Sequence, residues 1–189
     1  MKLSRPLVSA AIAAAAFAAS PAGANTLTYQ GVTFETMALD ADTLQLSILN
    51  ATSATGDWTG INYLKAFELK DIGNVTAATL AGWSVSVDNG LAAFGCTTGG
   101  TTGACFSSTP AASLANSMVY TIDFTGTNLD FSAPHLKVEF LTGLNDVQKT
   151  GDLLSQTIPT AVPEPETYAL MMAGLGAMGF VARRRKQAK

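Results

Sequence analysis

Three observations predict that the central part of this chain is all-β, a two-layer antiparallel β-sandwich of jelly-roll or immunoglobulin-like strand order. Apolar residues alternate with polar ones at a period of two, clusters of Gly, Asn, Asp and Thr interrupt the alternation at turn-like intervals, and no stretch there carries the period of a long amphipathic helix. Two segments flank the body: a signal peptide over residues 1–24, and residues 163–189, which contain a short hydrophobic helix. The 138 residues left between them, 25–162, are enough for one domain with a continuous core.

In chain order, Lys2 and Arg5 form a positive n-region, Leu7 to Ala19 an apolar core, and Ser20-Pro21 a helix break before the small triplet Ala22-Gly23-Ala24. This is the pattern of a secretory signal peptide, and cleavage after Ala24 would start the mature chain at Asn25. Within the body, Leu44, Leu46 and Ile48 alternate with polar neighbours, as do Trp83, Val85 and Val87, then Met118, Tyr120, Ile122 and Phe124, and finally Leu136, Val138 and Phe140. Each run turns one side to a core. Asp88-Asn89-Gly90 and Gly126-Thr127-Asn128 read as turns between them.

The body holds four lysines, Lys65, Lys70, Lys137 and Lys149, against twelve acidic residues and no arginine, a net charge of −8. Such a surface repels a phosphate backbone, so nucleic acid is not an expected partner. Cys96 and Cys105 are the chain's two cysteines, and export would put them where disulfides persist. Their spacing fits neither C-x-x-C nor ordinary zinc ligation, so a disulfide that pins the Thr- and Gly-rich loop between them is expected.

Residues able to do nucleophilic chemistry are scarce. The single histidine, His135, sits on the polar side of an alternating strand with Lys137 and Glu139, and no G-x-S-x-G elbow occurs. The body is therefore expected to be non-enzymatic, with a small secreted hydrolase using a carboxylate pair as the alternative. No metal site is identified. Calcium is the one cofactor left open, with Asp57, Asp71, Asp88 and Asn89 as candidate ligands outside any recognised loop signature. Trp83 is expected in the core, whereas Trp58, in the turn-like Thr55-Gly56-Asp57-Trp58-Thr59-Gly60, is expected to be exposed and is the candidate carbohydrate contact.

The chain ends with three features in order: Pro163-Glu164-Pro165, an uncharged run from Tyr168 to Ala182, and the basic cluster Arg183-Arg184-Arg185-Lys186. Two prolines fix φ and remove two N–H donors, so the first feature should be extended and exposed. The run would cover roughly 22 Å as a helix, short of the roughly 30 Å hydrocarbon core. The arginines should stay on the cytoplasmic side, which puts the body across the membrane. Gly174, Gly176 and Gly179 satisfy G-x-G-x-x-G, but no strand precedes them, so a dinucleotide site is not inferred. The order Val162-Pro163-Glu164-Pro165, hydrophobic helix, arginine cluster resembles the PEP-CTERM sorting signal of exported bacterial proteins. That resemblance implies an exosortase-type membrane protease as partner, membrane attachment through the helix before processing, transit through the inner membrane, and a final place at the cell surface or outside it. Exopolysaccharide is the expected ligand class of the body.

Overall fold

The alternating segments become the central strands of two sheets. In a computed structural model describing residues 24–92, 95–98, 102–144 and 154–159, together with 171, 174, 175 and 178, twelve strands run in chain order. They are β1 (Asn25–Tyr29), β2 (Val32–Ala38), β3 (Thr43–Leu49), β4 (Tyr63–Lys70), β5 (Asn74–Thr79), β6 (Ser84–Ser86), β7 (Asn89–Ala92), β8 (Gly95–Thr98), β9 (Ala104–Ser113), β10 (Ser117–Thr127), β11 (His135–Leu141) and β12 (Leu154–Thr157). Sheet A has the order β1-β2-β3-β10-β5 and sheet B the order β12-β11-β4-β9-β6, while β7 and β8 form a separate hairpin. Every pairing is antiparallel. The body is thus the expected two-layer β-sandwich.

The two inner faces supply the core. Phe34 from β2, Leu44, Leu46 and Ile48 from β3, and Ile122 from β10 face Leu64, Phe67 and Leu69 from β4, Phe106 from β9 and Leu136 from β11, all fully buried. Aromatic rings run from one layer to the other: on the sheet B side Phe67 stacks on Phe106 at 4.8 Å and meets Trp83 edge-on at 5.3 Å, and Trp83 meets Tyr120 of sheet A edge-on at 5.4 Å. Trp83 therefore packs against the core as expected, although it lies one residue before β6. Burial pushes the Tyr120 hydroxyl up to about 12.

Two turn expectations change. Asn89 and Gly90, read as a turn, open strand β7, and Gly126-Thr127 continue β10 through a register shift at Thr125/Gly126 before the chain bends at Asn128, whose φ is 54°. A glycine is required at one close approach: a Cβ on Gly103 would collide with the carbonyl of Leu69, so only a bare Cα lets the chain enter β9 flat against β4.

Candidate functional site

The outer face of sheet B carries the body's main polar assembly. It starts from an irregularity in β4, where the pairing with both neighbours shifts around Lys65. The extra residue keeps Leu64, Phe67 and Leu69 on the core side and turns Ala66, Glu68 and Lys70 outward. Register places Glu68 between Lys137 of β11 and Cys105 of β9.

Over this point lies the β7–β8 hairpin. Glu68 is only 1% exposed, its Oε2 standing 3.1 Å from Lys137 Nζ and accepting the Leu91 N–H at 2.8 Å. Lys137 Nζ also donates to the Leu91 carbonyl at 3.4 Å. Gly90 lies over the carboxylate, where a Cβ would make ordinary contact with Glu68 Oε1 at 3.4 Å. Leu91 packs on Ala66 and Cys105, and the expected disulfide is present, with Cα atoms of Cys96 and Cys105 5.7 Å apart. Disulfide, apolar contact and charged hydrogen bonds together hold the hairpin to the sheet. Glu68 is therefore roofed on the outer face, and Glu139, read from sequence on the polar side of its strand with His135 and Lys137, is likewise only 4% exposed.

His135 stands at the end of the same face. Its Nδ1 lies 3.2 Å from Thr157 Oγ1 and its Nε2 3.0 Å from Ser155 Oγ, both hydroxyls projecting from β12. Partial burial and then the Lys70 ammonium hold the ring below the usual histidine range, so it is neutral near pH 7. A neutral imidazole beside a serine is half of a nucleophile–base pair. The group at Nδ1 is a threonine hydroxyl, however, not a carboxylate, and around the ring Lys70 and Lys137 act against an imidazolium while Asp71 and Glu68 favour one.

The expected carbohydrate contact at Trp58 is corrected. The Thr55–Gly60 stretch does turn, as a 3-10 segment Gly56–Trp58, but Gln30 Oε1 accepts the Trp58 backbone N–H at 2.9 Å and Gln30 O accepts from Thr55 N–H at 2.8 Å. These bonds pin the turn to the β1–β2 corner. The indole then inserts edge-on among Tyr29, Phe34 and Phe140, with centroids 5.0–6.1 Å away, and is 1% exposed. Burial of that aromatic surface outweighs the turn propensity around it.

The candidate calcium ligands are dispersed. Asp57 is exposed in the 3-10 turn, Asp71 Oδ1 accepts from Thr102 Oγ1 at 3.1 Å, Asp88 is exposed before β7, and Asn89 lies in β7. Among the described residues no three His, Cys, Asp or Glu side chains come together in a way that could hold a metal ion.

Pro163, Glu164 and Pro165 lie outside the described residues, as do Arg183, Arg184, Arg185 and Lys186 and the expected signal peptide up to residue 23. Of the expected hydrophobic helix, Met171, Gly174, Leu175 and Met178 are helical and exposed. Among the described residues no helix is long and apolar enough to cross a membrane. The family model of the PEP-CTERM protein-sorting motif matches residues 161–186. No curated protein and no solved structure matches the chain. The motif implies a protein that is exported, sorted towards the cell surface and processed by an exosortase.

Proposed function

We propose that this chain is a non-enzymatic cell-surface or extracellular-matrix protein whose β-domain engages exopolysaccharide or other surface components. The sorting motif at residues 161–186 carries the reading, because it directs the whole body to the outside of the cell. The body's own chemistry supports it. Glu68 is engaged by Lys137 and the Leu91 N–H, which leaves it poorly suited to proton transfer, and His135 is held by hydroxyls.

With Trp58 buried, the outer face of sheet A is the surface best suited to a neutral glycan. Thr26, Thr28 and Thr33 from β1 and β2, Gln45 and Ser47 from β3, and Thr121 and Thr125 from β10 share that face by register. Their hydroxyl and amide groups both donate and accept, as sugar hydroxyls do. The test is to incubate the exported protein with polysaccharides from its producing cells. Retention without new reducing ends is the expected result. New reducing ends would instead establish the alternative, a small secreted hydrolase, and no retention of any surface polymer would remove the binding role.

A further inference from the structure

The last strand of the body is locked in place from both faces. β12 pairs with β11 over four residues, from His135↔Thr157 to Val138↔Leu154. Leu154 and Ile158 point into the main core, 1% and 0% exposed. On the opposite face the His135 ring engages the hydroxyls of Ser155 and Thr157 at 3.0 and 3.2 Å. The Ile158 N–H then donates to the Pro134 carbonyl at 2.9 Å, at the end of the sandwich where β11 begins, and Pro159 beyond it is exposed. The match to the sorting motif starts at residue 161, and Pro159 to Val162 alone separate this locked residue from Pro163. At most about 3.6 Å per residue keeps Pro163 within about 18 Å of Ile158, and Tyr168, where the uncharged run begins, within about 36 Å.

From this short tether we infer that β12 sets the reach of the sorting motif, so that the exosortase cleaves the tail from a folded body whose end around Ile158 is held against it. The inference rests on the processing that the motif implies. Lengths carry it. The start of β1 in sheet A stands at the same end as Ile158, because the Asn25 side chain donates to the Ser132 carbonyl at 2.6 Å, two residues before Pro134. Packed sheets lie about 10 Å apart, so a tail leaving sheet B must pass a shoulder of that size before it enters another protein's active site. A tether of about 18 Å passes it with a few residues to spare, and one of about 11 Å does not. Were β12 free of the sheet, its own residues would lengthen the tether and the limit would vanish. The two core anchors and the His135 contacts therefore give this four-residue strand a role in processing.

The test follows the full chain in the cells that produce it, with processing read from the intact mass of the recovered protein. Deleting Pro159 and Thr160 leaves the matched residues whole and shortens the reach from Ile158 to Pro163 to about 11 Å. This variant should melt with the parent but accumulate uncleaved, still ending at Lys189. Replacing the same pair by Gly-Ser keeps the length and should be cleaved like the parent, which separates distance from sequence. Adding Ile158→Asp to the deletion withdraws a core anchor, releases the end of β12 and should bring cleavage back. A deletion variant cleaved like the parent would overturn the inference. So would an uncleaved Gly-Ser variant, or an Ile158→Asp deletion variant that still unfolds cooperatively yet stays uncleaved. A parent that is itself uncleaved would instead overturn the sorting reading on which the inference rests.

Discussion

Lys137 matters because of what it leaves behind. Removing it strands a carboxylate that is 1% exposed, with the Leu91 N–H as its remaining partner in the cluster. Lys137→Met should therefore lower unfolding free energy by about 2–3 kcal/mol, and adding Glu68→Gln, which removes the stranded charge, should recover part of it. Urea unfolding of the parent and the two variants measures this. A single-variant loss below about 0.5 kcal/mol, the range of ordinary surface substitutions, would mean that the pair is solvated. His135 makes a pH prediction. Its folded pKa is lowered, so between about 6.5 and that lower value the unfolded chain binds more protons than the folded one. Its contribution is present above pH 6.5 and is lost as pH falls through the folded value. The melting temperature of the parent should fall more than that of His135→Gln between neutral and mildly acidic pH, and parallel curves would contradict the assignment. Residue roles were only partly legible in the sequence. Trp58 could not be placed because its burial depends on Gln30, 28 positions earlier. Glu68 was hidden because the irregularity at Lys65 breaks the period-two pattern that would have marked β4 as a strand.

The β7–β8 hairpin is the element that sequence reading saw least. Its four-residue strands are too short to show a period, and Asp88-Asn89-Gly90 has a turn's composition. What makes Asn89–Ala92 a strand is tertiary: Leu91 has an apolar seat on Ala66 and Cys105, and its N–H donates to Glu68. β3, β10 and β11, by contrast, were visible because seven to eleven residues of alternation leave little ambiguity about which side is buried. The disulfide is the one link of the hairpin that cysteine arithmetic could supply. Denatured but unreduced protein should show no titratable thiol, and two thiols would contradict the bond. Replacing both Cys96 and Cys105 by Ser should lower stability by roughly 2.5–3 kcal/mol, the loop entropy returned to the unfolded chain. Denaturant unfolding measures that loss.

Across the whole molecule, an acidic body is followed by a sorting segment, and each leaves a different kind of trace. The body is a folded sandwich whose burial pattern follows its alternation, whereas the handling of the protein is written in the last residues, where local order of proline, apolar run and arginine is enough to be recognised without any tertiary contact. The central claim is that residues 161–186 are read and processed rather than kept as a permanent anchor. A run that would cover roughly 22 Å as a helix, with Arg183 to Lys186 expected at the cytoplasmic face, would suit transient attachment. The intact mass of the protein recovered from the cells that produce it tests this most directly. The account predicts a dominant species that has lost the basic C-terminal end by cleavage near Pro163-Glu164-Pro165; a dominant species still ending at Lys189 would contradict it and establish a lasting tail anchor.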